Sequence, residues 1–310
     1  MHTKDLIIIG GGPAGVAAGV YAARKCLSTT LITVDIGGQS VDSLDVQNWV
    51  GTVSISGRDL AKALRDHLDA YKDGFVEVVE GSPVEHLTKN ADGSFTVTTK
   101  AGTSYMSRAV LIASGARRRR LAVPGADTFE HKGVTYCASC DGPMFGGMDV
   151  AVIGGGNAGF ETAAQLLAYA KSVTLLHKHD SFKADPITVE KVLSHSRMTG
   201  ITNAEPVEVT GEQFVSGLRY RKRDTGEETL LPVSGVFVEI GVLPATDFAK
   251  DLVERDGVGR IVVSPKDQKT SCPGIWAAGD CTNELYHQNN IAAGDGVKAL
   301  EDIYIHLKAK

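Results

Sequence analysis

At 310 residues, with 43% hydrophobic and 22% charged side chains, the chain has the composition of an ordinary globular protein and the length for two domains, each with its own core. A net charge of −5 gives no drive toward nucleic acid, and no apolar stretch approaches the ~20 residues that cross a bilayer. The first apolar run is too short for a signal peptide, so a cytoplasmic protein binding neither nucleic acid nor membrane is expected.

Five cysteines, an odd number, do not read as a secreted disulfide framework. Cys26, Cys272 and Cys281 are expected to be free thiols. Asp5 to Ile9 is apolar after its first residue and ends at glycine, the pattern of a buried parallel strand. Pro13 to Arg24 is alanine-rich and reads as a helix. Between them, Gly10-Gly11-Gly12-Pro13-Ala14-Gly15 supplies a GxGxxG turn. Its first glycine permits the tight turn, its second lets backbone approach a pyrophosphate, and its third lets helix and strand pack closely. A second strand, Thr29 to Val34, leads to Asp35, placed where a ribose-binding acid is expected. Gly37-Gly38-Gln39 offers exposed backbone beside that site, with Asn48-Trp49 a little further on.

Residues 57–72 have helical spacing. Val76 to Thr99 is strand-like, with turns at Gly81 and Asn90-Ala91-Asp92-Gly93, and is expected as a β-ribbon inserted on the nucleotide fold. Ala109 to Ala113 is another buried strand, closing at Ser114-Gly115-Ala116. The basic run Arg117 to Arg120 is expected to be a solvated connector. Then comes Cys137-Ala138-Ser139-Cys140-Asp141, a compact dithiol or disulfide unit with a carboxylate directly behind it. Half of a zinc site is the alternative, but no second CxxC or histidine pair completes it, so no metal is expected.

Asp149 to Ile153 opens a second strand–turn–helix around Gly154-Gly155-Gly156-Asn157-Ala158-Gly159, which makes the repeat one of domains. The strand that follows ends in His177-Lys178-His179-Asp180-Ser181-Phe182-Lys183. Basic side chains stand there in place of the usual ribose acid, which suits a 2′-phosphate; a solvated basic loop is the plainer alternative. Residues 205–240 alternate like a small antiparallel sheet with a turn at Asp224-Thr225-Gly226. Gly274 to Asp280 reads as a buried strand ending in an acid, and Tyr286 to Leu307 mainly as a helix. If that last strand rejoins the first sheet, the second nucleotide domain is inserted into the first.

Taken together, GGGPAG at 10–15, GGQ at 37–39, CxxCD at 137–141, GGGNAG at 154–159, AAGD at 277–280 and Tyr286-His287-Gln288 resemble, over essentially the whole chain, the bacterial-type low-molecular-weight thioredoxin reductases. These belong to the flavoprotein pyridine nucleotide-disulfide oxidoreductases. Cys-Asp-Gly-Pro-Met-Phe and Ala-Gly-Asp-Cys-Thr also resemble the flavoprotein subunit of alkyl hydroperoxide reductase, whose extra N-terminal thioredoxin-like region this chain is not expected to carry. The resemblance implies an α/β fold of two Rossmann-like dinucleotide-binding domains, each with a parallel sheet and a small antiparallel insertion. FAD would be bound by 1–117 together with 246–310, and NADPH by 118–245, which carries the CxxC.

By position, the resemblance puts Gly10, Gly12, Ala14 and Gly15 on the FAD pyrophosphate, Gln39 and Asn48 along the flavin, Asp280 on the ribitol and Gln288 near the ring. Pro13, Asp35, Gly38, Ala113, Gly115, Gly279 and His287 complete the FAD set. Gly154, Gly156, Asn157, Ala158, Gly159, His177, Lys178, His179 and Lys183 form the NADPH set. It implies that Cys140 faces the flavin, that Cys137 attacks the disulfide of thioredoxin or a thioredoxin-like protein, that Asp141 is the general acid/base, and that the chain is a homodimer. The chain departs from the family pattern at 177–183, where lysine and histidine replace arginines, and at His287, where arginine is usual. NADH, ferredoxin or another carrier therefore stay open as donors, and a flavin-dependent dithiol oxidase and a non-catalytic redox sensor stay open as functions.

Overall fold

The computed structural model describes residues 3–43, 45–71 and 74–308. The chain divides into two compact units, Met1–Arg117 with Leu243–Lys310, and Arg118–Val242. The first begins with β1 (Lys4–Gly11), α1 (Pro13–Arg24) and β2 (Thr29–Ile36), with β1 and β2 parallel and Leu6 opposite Thr29. Leu6, Ile7 and Ile8 have no exposure, because a central parallel strand is covered on both faces. The helix α2 spans Gly57–Tyr71, and Lys72, the last residue of the expected helix, lies outside the described residues.

Next come β3 (Val76–Val79), β4 (Val84–Lys89), β5 (Phe95–Thr99) and β6 (Ser104–Ile112). The expected ribbon over 76–99 divides here. β3 runs parallel to β2, Val76 opposite Thr29, as the return of a β–α–β crossover, while β4 and β5 are antiparallel. Val76 is buried and Val78 packs on the core beside it, so the first run belongs to the sheet.

β7 (Ala116–Arg118) leads into the second unit: β8 (Val134–Thr135), α3 (Ala138–Asp141), β9 (Asp149–Ile153), α4 (Asn157–Leu166), β10 (Ser172–Leu176), α5 (Pro186–Leu193), β11 (Met198–Ile201), β12 (Ala204–Gly211), β13 (Val215–Lys222), β14 (Glu228–Leu231) and β15 (Gly235–Val238). Its main sheet is parallel in the order β11-β10-β9-β15-β8, and β12-β13-β14 form an antiparallel sheet. The alternating segment expected over 205–240 thus ends early. All four residues of β15 are buried, which marks a strand covered on both faces, and it pairs in parallel with β9. The helix α5 had no sequence expectation; Asp185 caps it by accepting the Thr188 N–H at 3.0 Å, and Pro186 opens it.

The chain leaves through β16 (Val242–Pro244), which pairs with β7, so the two crossings form one short ribbon. The connector arginines are exposed, yet Arg118 lies 3.5 Å from Glu239 and Arg120 3.1 Å from Glu130. The last strand, β17 (Ile275–Ala277), pairs in parallel with β6, Ile275 opposite Val110. The second unit is therefore inserted into the first. The final helix, α6 (Asn289–Lys308), starts three residues later than expected and crosses α1 closely: a Cβ on Gly296 would lie 2.1 Å from the Ala14 carbonyl. Among the described residues no helix is long and apolar enough to cross a membrane.

Candidate active site

Three places are candidates for the chemistry: the two glycine turns and the cysteine pair. In the first turn Gly10 has φ +117°, and a Cβ there would sit 2.1 Å from the Ala113 carbonyl, so only glycine lets β1 and β6 end together. A Cβ on Gly15 would meet the Gly10 carbonyl at 1.9 Å, whereas one on Gly12, the N-cap of α1, would meet nothing within 4 Å. The turn is crowded behind and open in front, where the free N–H groups of α1 point.

Around that opening the fold gathers residues distant in sequence. Gly38 comes within reach of Gly12, its Cβ position being 3.3 Å from the Gly12 Cα, and the Gly37 N–H donates to the Gly11 carbonyl at 2.8 Å. Asn48 donates to the Gln288 side chain at 3.0 Å, and the Asn290 side chain donates to the Asn48 carbonyl at 2.7 Å. Gly279 lies against Ala14 and Ala292, so Asp280 stands at the same end of α1. Asp35 is exposed at the end of β2, and Gln39 is exposed in the turn that follows. Nε2 of His287, beside Gln288, is buried without a hydrogen-bond partner. An open anion cradle at the start of a helix, with polar side chains gathered around it, fits a dinucleotide.

The second turn repeats the geometry. Gly154 has φ +122° with a Cβ position 2.1 Å from the Glu239 carbonyl; Gly159 packs on Gly154, and Gly156, the N-cap of α4, is open. Asn157 accepts the Asp185 N–H at 2.8 Å, which ties the start of α4 to α5. Of the basic segment, Lys178 and Lys183 are exposed and His179 half-buried. His177 is placed differently from its neighbours. It is 7% exposed, beneath the turn, and its Nδ1 accepts the Gly155 N–H at 3.1 Å. Burial, and then the charges of His179, Lys183 and Lys178, push its pKa down, so it serves as a neutral pin for the turn.

Two charged residues here were absent from the sequence reading. Arg223, just past β13, donates to the Lys178 carbonyl at 3.0 Å and adds a guanidinium to the cluster. Glu239 follows β15 beside Gly154, accepts from Thr162 at 2.9 Å, and has its pKa raised by burial against the opposing Arg118 charge. Neither carries a local signal, because each is delivered by a strand far along the chain.

Cys137 and Cys140 form a disulfide, with Cα atoms 5.3 Å apart. Cys137 is the N-cap of α3, and its sulfur accepts the Cys140 N–H at 3.2 Å, a donor ready for a thiolate once the bond opens. Asp141 lies in the next turn, its N–H donating to the Cys137 carbonyl at 3.0 Å. Burial raises its pKa, against a hydrogen bond from Thr135 and the nearby His131 and Arg118 charges. Thr135, another residue the sequence reading passed over, hydrogen-bonds the Asp141 carboxyl and accepts the Cys137 N–H at 3.3 Å. The remaining cysteines are free: Cys26 exposed, Cys272 half-buried and Cys281 buried, its thiol pushed up to about 11 by burial.

Residues 4–296 match the model of the pyridine nucleotide-disulphide oxidoreductases, and the chain belongs to that family, in keeping with its paired glycine turns and its Cys137–Cys140 disulfide. Members of that family are oxidoreductases that bind FAD and a nicotinamide nucleotide. The fold is that of thioredoxin reductases. The Streptococcus pyogenes enzyme is 34% identical with TM-score 0.91 over 99% of both chains, and the Giardia duodenalis enzyme 31% identical with TM-score 0.93 over 100% of both. Curated relatives include the alkyl hydroperoxide reductase F subunit of Escherichia coli, 41% identical over 298 residues, and a protein named NADH dehydrogenase from Bacillus subtilis, 39% identical over 295. Each match covers 95% of this chain but only 56% and 57% of those relatives, so the chain spans just over half their length.

Proposed function

We propose that the protein is an NADPH-dependent disulfide reductase that passes electrons through FAD and the Cys137–Cys140 pair to the disulfide of thioredoxin or a thioredoxin-like protein. The observation that carries this reading is the redox pair itself: a disulfide whose N-terminal sulfur faces an N–H donor and whose next residue is a carboxylic acid held toward its protonated form. Gly10, Gly12, Pro13, Ala14 and Gly15, with Asp35, Gly38, Gln39, Asn48, Ala113, Gly115, Gly279, Asp280, His287 and Gln288, would hold FAD. Gly154, Gly156, Asn157, Ala158 and Gly159 would hold the nicotinamide nucleotide, with Lys178, His179, Lys183 and Arg223 around its 2′-phosphate. His177 supports that loop from beneath.

FAD and NADPH, when bound, supply the two electrons that open the Cys137–Cys140 bond. The Cys137 thiolate then attacks one sulfur of the partner disulfide, and the sulfur that leaves takes a proton from Asp141. Cys140 attacks the mixed disulfide, re-forms its bond to Cys137, and releases the second partner thiol. Two thiols of the protein are oxidised and one partner disulfide is reduced.

The test is NADPH oxidation coupled to reduction of a thioredoxin disulfide, in the FAD-loaded wild type and in Cys137→Ser. Turnover in the wild type that is lost in the variant, while NADPH still bleaches the flavin, is the expected result. Equal turnover in the variant, or oxygen consumption driven by a small dithiol with none driven by NADPH, overturns it. Equal flavin bleaching by NADH would remove the 2′-phosphate assignment alone.

A further inference from the structure

We propose that Thr135 is a positioning residue for disulfide exchange, acting through Asp141: its hydroxyl holds the acid in register with Cys137 through both halves of the proton-transfer cycle. This rests on the reading of Cys137, Cys140 and Asp141 as the redox centre. Thr135 is 6% exposed at the end of β8, two residues before Cys137. Its Oγ1 accepts the Cys137 N–H at 3.3 Å and hydrogen-bonds Oδ2 of Asp141. A threonine hydroxyl has one proton and two lone pairs. With one lone pair engaged by the Cys137 N–H, its proton is available to an ionised Asp141, and its second lone pair to a protonated one. The same atom can therefore bond the carboxyl before and after the proton leaves, with only the direction reversed.

Valine at 135 would leave a strand and a helix start of the same outline, yet the acid would have no partner other than charges. The groups facing Asp141 are the Thr135 hydroxyl on β8 and, at longer range, His131 in the preceding turn and Arg118 on β7. Both cations favour the ionised carboxylate, as does the hydroxyl, while burial opposes them and prevails. Removing the hydroxyl alone strengthens that imbalance. The buried acid then stays protonated to a higher pH, and its carboxyl loses the bond that fixes its position relative to the sulfurs.

The experiment uses the full-length FAD-loaded protein with Cys137–Cys140 reduced by dithiothreitol and the excess reductant removed. Reoxidation by a small aliphatic disulfide, whose leaving thiolate must take up a proton in this range, is followed by stopped flow from pH 5 to 9 in wild type, Thr135→Val, Thr135→Ser and Asp141→Asn. Valine matches threonine in shape and suits a strand, so the fold is retained; melting curves check it. The wild type should lose rate as Asp141 ionises, and Asp141→Asn should lack that limb. In Thr135→Val the limb should move up by about one pH unit, the size of a hydrogen bond to a charged group, with a slower plateau. Thr135→Ser should restore the wild-type position. A wild-type profile in Thr135→Val, beside an altered one in Asp141→Asn, overturns the role of Thr135 alone. A wild-type profile in Asp141→Asn overturns the assignment of Asp141 and the inference with it.

Discussion

The two glycines of the second turn make opposite demands, and alanine separates them. Gly154→Ala places a methyl 2.1 Å from the Glu239 carbonyl on a residue with φ +122°. The left-handed conformation costs an L-residue about 1–2 kcal/mol, and forcing atoms into a packed site costs about 1–3 kcal/mol more. The sum, about 2–5 kcal/mol, is a large share of the stability of a domain, which is about 5–15 kcal/mol. Gly156→Ala differs in kind. Its φ is −95°, ordinary for alanine, and the added methyl meets nothing within 4 Å. The structural cost is the poorer N-cap, under about 1 kcal/mol, yet the methyl projects into the space where a pyrophosphate would lie against the start of α4. Melting curves and calorimetric titration with 2′,5′-ADP read the two effects apart. Gly154→Ala should melt lower by about 5–15 °C, and Gly156→Ala within about 3 °C of wild type with binding at least tenfold weaker. Wild-type affinity in Gly156→Ala would refute the placement of the nucleotide on this turn.

Further outcomes follow from the same geometry. Because burial raises the Asp141 pKa, the folded protein binds its proton more tightly than the unfolded chain, so the wild type loses stability as pH rises from about 4 through the raised value. Asp141→Asn should be the more stable protein at pH 7–8, with the gain vanishing near pH 3 in denaturant titrations; a variant less stable at neutral pH contradicts the burial argument. The Cys281 thiol, buried and shifted to about 11, should resist iodoacetamide at pH 8 in the native protein, whereas exposed Cys26 is alkylated; peptide mapping decides, and equal labelling would be the contrary result. Arg223→Ala should weaken 2′,5′-ADP more than 5′-AMP, and equal losses would assign Arg223 to loop support alone.

Much of this was legible in the sequence because the informative residues act locally. The last glycine of each turn, Gly15 or Gly159, packs on the first, Gly10 or Gly154, within one strand–turn–helix unit, and the inserted topology follows from one apolar strand, Ile275–Ala277, that had to find a sheet. Pattern failed where burial depended on distant partners. β3 and β15 resemble the strands next to them in composition, but each is buried against a parallel neighbour that lies elsewhere in the chain. The basic loop was read as a row of equivalent charges; the fold sinks His177 beneath the glycine turn and brings Arg223 from β13 instead. Thr135 was invisible for another reason: a threonine before a CxxC is unremarkable until its hydroxyl is seen between the acid and the Cys137 amide.

The most direct test of the central claim is to count thiols. The FAD-loaded protein is mixed anaerobically with excess NADPH, enough electrons for both the flavin and the disulfide, quenched with iodoacetamide under denaturing conditions, and mapped by mass spectrometry against a sample without NADPH. Alkylation should appear at Cys137 and Cys140 only after NADPH, with Cys26, Cys272 and Cys281 labelled equally in both samples. Cys137 and Cys140 still joined after the flavin has been bleached would contradict the account.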